Sequence, residues 1–124
     1  MSCRKKDISI EFSPTFRRTF KKLAKRYRSL ALDLEAFVHS VSEDPLQGAD
    51  LGNGLRKVRM AITSKGKGKS GGARVITCTL SLSEDGTIYF LTIYDKSEKE
   101  SISDKELQAL LEEIGRKVEA HGGK

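Results

Sequence analysis

Residues 54 to 74, GLRKVRMAITSKGKGKSGGAR, carry seven Lys or Arg and five Gly with no acid among them. Cations at this density suit a polyanion, and the glycines allow a backbone to approach one closely. The triplet Gly68-Lys69-Ser70 suggests a P-loop, but that pattern needs a glycine at position 63, where the chain has Thr63, and a helix afterwards, where a strand is expected. The P-loop reading fails on both counts. What remains is a cationic hairpin connection in which Lys65, Lys67 and Lys69 alternate with Gly66 and Gly68 and can reach phosphate oxygens. Beside it lie Lys57 and Arg59 on one strand, Arg74 at the start of the next, and Lys96 at the end of a later one. If the strands pair in order, these side chains converge on one cationic hollow. A hairpin tip made soluble by lysines accounts for the same spacing.

The elements that must position these residues are legible from periodicity. Ile8, Ile10 and Phe12 alternate, which predicts a short strand. Ser13 offers a helix cap and Pro14 a preset first helical position. Phe16, Phe20, Leu23, Ala24 and Tyr27 then form an apolar helical stripe, a core face rather than a base-stacking platform. Leu30, Leu34, Phe37, Val38 and Val41 predict a second helix ending before Pro45, so the two make a helical hairpin with His39 turned to solvent. Residues 45–54 read as a turn-rich connector.

Three strands follow, LRKVRMAI, ARVITCTLSL and TIYFLTIY, the last two joined by a tight turn at SEDG. Alternation puts Lys57 and Arg59 on the face of Leu55, and Val58, Met60 and Ile62 on the other. The final strand is apolar on both faces, with Ile88 and Phe90 opposite Leu91 and Ile93, as in a central strand. A capping box from Ser103 to Glu106 opens a last helix with Leu107, Leu110, Leu111, Ile114 and Val118 on its buried stripe. The expected fold class is α+β: a small antiparallel meander with an N-terminal helical hairpin and a C-terminal helix, the helices on one face, in a single domain over residues 1–124.

At 124 residues and 13.8 kDa one core is the natural size. The net charge of +6 is segregated: residues 1–28 hold ten bases against two acids, 29–53 five acids and no Lys or Arg, 54–80 seven bases and no acid, 81–124 six bases against ten acids. Such blocks predict a basic face for a polyanion. No apolar run reaches the roughly 20 residues of a membrane span and no secretion signal is visible, so a cytosolic protein is expected. Cys3 and Cys78, with His39 and His121, have no metal-ligand spacing; two free thiols and no metal or small-molecule cofactor are expected.

The blocks GLRKVR, GKGK, GGAR and IYDKSE, in this order and followed by a Leu-rich helix, resemble the RelE/ParE superfamily of toxin–antitoxin toxins, most closely its HigB-like branch, from about Ile10 to Ile114. The resemblance implies a metal-independent endoribonuclease that cuts messenger RNA in the ribosomal decoding site and is held inactive by a cognate antitoxin. It also implies roles: Lys57, Arg59 and Arg74 match the family's catalytic basic residues and Lys96 its basic position after the central strand, while Lys65, Lys67 and Lys69 are candidate RNA contacts from their own spacing. Where some relatives have an arginine after the lysine and a C-terminal tyrosine, this chain has Ser97 and, around the second place, Ser101 and Ser103. Superfamily members of the ParE kind inhibit DNA gyrase instead, and a plain RNA-binding module is a third reading.

Cleavage of RNA without metal requires removal of the 2′-hydroxyl proton, in-line attack on phosphorus, and stabilisation of the charge that develops. Arg74 or Arg59 suits the phosphate because guanidinium is a planar, bidentate donor. Neighbouring cations lower a lysine pKa, which makes Lys57 the candidate base. Tyr94 is a candidate acid by position alone, against the simpler reading of a packed tyrosine.

Overall fold

The computed structural model describes residues 8–66, 68 and 70–115. In chain order it forms β1 (Ser9–Phe12), α1 (Pro14–Ala24), α2 (Leu30–Glu43), β2 (Ala49–Gly52), β3 (Leu55–Met60), a 3₁₀ turn (Thr63–Lys65), β4 (Ala73–Cys78), a single-turn α3 (Leu82–Asp85), β5 (Thr87–Asp95) and α4 (Asp104–Glu113). The strands make one sheet in the order β1-β5-β4-β3-β2. From β2 to β5 it is an antiparallel meander; β1 joins the far edge parallel to β5. This is the expected α+β architecture, with the helical hairpin first and the helix last. No helix of the described residues is long and apolar enough to cross a membrane.

The connector at 45–54 is more ordered than its composition predicts, because Ala49 and Asp50 pair with Lys57 and Arg56 to make β2 an edge strand. The tight turn at SEDG is a single helical turn, closed by Gly86 in the left-handed region at φ 73°.

The helices cover both faces of the sheet, not one. Phe16, Leu23, Leu30, Phe37 and Val41 from α1 and α2 pack on Val58, Met60, Val75, Ile88, Phe90 and Ile93. Leu107, Leu110 and Leu111 of α4 pack on the opposite side, against Leu55, Ile76, Cys78 and Leu91. Every residue of β4 is buried, and a strand apolar on both sides requires cover on both. Cys78 is a buried free thiol, as expected of a small hydrophobe within a strand.

One register irregularity sets the parity of the site. Ile76 pairs with Thr92 but Thr77 pairs with Phe90, leaving Leu91 as the extra residue of a bulge in β5. Ile93 therefore joins Ile88 and Phe90 in the α1–α2 core rather than Leu91 on the other side. The bulge is stitched to the start of α1. The Ser13 hydroxyl donates to the Leu91 carbonyl at 2.9 Å and accepts from the Phe16 amide at 3.1 Å, capping the helix and satisfying the bulge with one side chain.

Candidate functional site

Paired residues share a sheet face, so the register of β3, β4 and β5 decides which cations meet. Arg59 lies opposite Arg74, Lys57 opposite Ile76, and Arg74 opposite Tyr94. The α4 leucines cover the Leu55–Cys78 end of that face. At the other end a concave hollow of 670 Å³ is lined by Lys57, Arg59, Arg74 and Lys96, with Glu100 as the one carboxylate and Gln47, Gly48 and Ala49 as a wall. Four cations separated by up to 39 positions in the chain thus meet around one cavity, in the size range of ligand pockets, about 300–1,000 Å³.

The wall is held by Arg56, whose Nε and one Nη donate to the carbonyls of Gln47 and Gly48 at 3.1 and 3.0 Å. Gly48 is required there: its φ is +95°, and a Cβ would fall 2.5 Å from the Lys57 carbonyl oxygen. The four cations differ in freedom. Arg59 and Lys96 are exposed and Lys57 is half-buried. Arg74 is only 7% exposed, and its guanidinium donates to the Ala73 and Ser70 carbonyls, each at 3.1 Å. It is therefore an oriented arginine at the edge of the core, with charge facing the hollow.

Lys65 is placed differently from the loose loop cation expected of it. It sits in the 3₁₀ turn, and its ammonium donates to Asp95 Oδ1 at 2.6 Å and to the Gly71 carbonyl at 2.9 Å, with its side chain only 12% exposed. A buried carboxylate pairs with this charge. Lys67 and Lys69 lie outside the described residues.

Asp95 is fully buried, and the sequence offered no sign of its partners. Burial on its own would raise its pKa. Hydrogen bonds from Lys65, from the Tyr27 hydroxyl at 2.6 Å, and from the Ser97 hydroxyl and amide outweigh burial and hold the carboxyl well below the usual carboxylate range. Its one sequence signal is position, an acid closing an apolar strand. Glu100 was equally missed, since nothing in DKSEKE distinguishes it from its acidic neighbour Glu98, which pairs with Arg26.

Tyr94 follows the simpler of its two readings. Its ring packs among the α4 contacts and it lines a separate 530 Å³ cavity between α1 and α4, not the cationic hollow. Its hydroxyl oxygen is shielded from solvent and has no hydrogen-bond partner among the described residues. Burial raises its pKa, against the pull of the Arg74 charge, so the hydroxyl keeps its proton at neutral pH. His39 is exposed on α2, with Nε2 3.7 Å from Glu43 Oε2, and takes no part in the hollow.

A sheet that gathers basic side chains where hydrolases more often place histidines and carboxylates narrows the kinds of protein this can be. Comparison with known families agrees over almost the full length. Residues 6–121 match the family described as the RelE toxin of the RelE / RelB toxin-antitoxin system, and the chain belongs to that family of toxins, whose partner is an antitoxin.

Proposed function

We propose that this RelE-family toxin is an endoribonuclease of the HigB-like kind that cuts messenger RNA on the ribosome until its antitoxin covers the site. The observation that carries the proposal is the Arg59–Arg74 pair. Like charges directly opposite on neighbouring strands repel, and that repulsion is a cost that something must offset. A phosphodiester between them does so, because its two non-bridging oxygens match planar, bidentate donors.

The reaction of this reading is transesterification. A base takes the proton of a ribose 2′-hydroxyl, the 2′-oxygen bonds to the adjacent phosphorus, and the bond to the 5′-oxygen breaks as that oxygen gains a proton, leaving a 2′,3′-cyclic phosphate. Arg59 and Arg74 stabilise the negative charge that accumulates on phosphorus's oxygens. Lys57, on the same face beside them, is assigned as the proton acceptor, with Glu100 as the rival acceptor in the same hollow. Lys96, with Lys67 and Lys69 on the glycine-rich connection, attracts the RNA backbone. Positioning by the ribosome supplies the alignment that such a spare acid–base set lacks.

The test is to induce the chain in growing cells and map the 5′ ends of translated messages, then to repeat cleavage with purified ribosomes and with naked RNA. New ends within translated messages, ribosome-dependent in vitro and abolished by antitoxin, are expected. Loss of gyrase supercoiling with messages intact overturns the reading in favour of a ParE-like toxin. Salt-sensitive RNA binding without cleavage reduces it to a binding module.

A further inference from the structure

We infer that Asp95 and Lys65 are a positioning pair that sets the orientation of Arg74 in the hollow, an inference that rests on the nuclease reading for its effect on rate. The connection between β3 and β4 links the pair to Arg74. Its start is fixed to α2, since Asp33 accepts from the Thr63 amide at 2.8 Å and hydroxyl at 2.6 Å. Lys65 then reaches across the connection. Its ammonium joins the Gly71 carbonyl near the end of the connection to Asp95 at the end of β5. Tyr27, beyond the end of α1, holds the other Asp95 oxygen at 2.6 Å.

Three successive carbonyls are fixed by this arrangement. That of Ser70 receives the Arg74 guanidinium, that of Gly71 the Lys65 ammonium, and that of Gly72 the Lys96 amide at 3.1 Å. Gly72 has no room to move toward β3, where a Cβ would meet the Met60 carbonyl oxygen at 2.3 Å. A displacement of Gly71 therefore moves the neighbouring Ser70 carbonyl, the acceptor that aims Arg74. One of the four cations of the hollow, Arg74, thus depends on a pair whose own charges never reach it. Stability alone does not explain the pair, because buried ion pairs are often replaceable by neutral groups without loss, and fixing one geometry is their better-attested use.

The test uses the full-length chain as Lys65→Met/Asp95→Asn, which removes both charges and so avoids stranding either one. Three readouts are compared with wild type: the Arg74 guanidinium NMR signals, the single-turnover cleavage rate on programmed ribosomes, and ribosome affinity as a function of salt. Expected are a folded protein, Arg74 Nη signals averaged by free rotation, a rate lower by about a hundredfold, and an unchanged affinity and salt slope. Lys65→Arg, which can restore the contact to Asp95, should recover most of the rate. Unchanged Arg74 signals or an unchanged rate in the double variant overturns the inference, and so does a fall in salt slope, which would make Lys65 a phosphate contact. If wild type itself cuts nothing, the nuclease reading fails, and the guanidinium signals still decide the positioning claim. Should the double variant not fold, Lys65→Gln/Asp95→Asn carries the same readouts, because it also removes both charges while leaving hydrogen-bonding groups in the buried space.

Discussion

Arg59 and Arg74 occupy one cross-strand pair, yet they should respond to substitution in different ways. Arg59 is exposed, so Arg59→Ala should change stability by no more than about 0.5 kcal/mol. Its loss as a donor to the transition state should slow single-turnover cleavage about a hundredfold to a thousandfold. Arg74→Lys keeps the charge but loses the planar fork and the bonds to Ser70 and Ala73, so a similar fall in rate should come with a measurable loss of stability. Urea titration beside the rate assay separates the two, and a fully active Arg59→Ala would remove this arginine from the chemistry. Asp95 makes a prediction in pH. Its folded pKa is depressed, so the stability it contributes is complete above the unfolded value, about 3.9, and is lost as pH falls toward the folded one. Asp95→Asn should therefore be much less stable than wild type at pH 7, and the gap in urea midpoint should narrow at about pH 3. A gap that stays constant would mean that the charge of Asp95 contributes nothing.

Among the elements, the joint between α1 and β5 concentrates the most consequence in one small side chain. Ser13 caps the helix and satisfies the Leu91 carbonyl freed by the bulge, and it is 3% exposed. Ser13→Ala should cost about 1 kcal/mol for the cap and roughly a further 1–3 kcal/mol for the stranded acceptor. Ser13→Thr, which keeps the hydroxyl, should retain most of that. Both are read from urea midpoints, and a Ser13→Ala variant as stable as wild type would show that water replaces the hydroxyl at the bulge. The joint also bears on the site. The bulge gives Tyr94 and Asp95 their faces, turning Tyr94 toward α4 and Asp95 toward Tyr27 and Lys65.

On the scale of the whole molecule, a net charge of +6 gathered into basic blocks should make ribosome affinity fall linearly in log–log form with added salt. Removing a lysine that meets a phosphate should lower that slope by about 1, and removing one that is internally paired should not. Lys96→Ala is expected in the first class and Lys65→Met in the second, measured by cosedimentation across a salt series. Equal slopes for the two would contradict the difference between exposed and paired lysines. The antitoxin should relieve the same electrostatics, since a partner that covers the hollow must place acidic groups against Lys57, Arg59 and Lys96.

Local rules determined much of this protein. The periods of 2 and 3.6, the Ser13 and Ser103 caps and the Pro45 stop were sufficient for β1, α1, α2 and α4, because each depends on residues within a few positions of one another. Alternation likewise put Lys57 and Arg59 on one face, and the meander brought Arg74 and Lys96 to the same hollow. Only the tertiary structure decided the rest. Whether a helix lies above or below the sheet has no local signature, so α4 was free to cover the second face. The bulge at Leu91 depends on Ser13 arriving from 78 residues away, and it inverts the parity that simple counting assigns to Ile93. Lys65 was indistinguishable from its neighbouring lysines in sequence. Its role was set by Asp95, thirty residues on, because a charge takes its meaning from the carboxylate that folding brings within 2.6 Å of it.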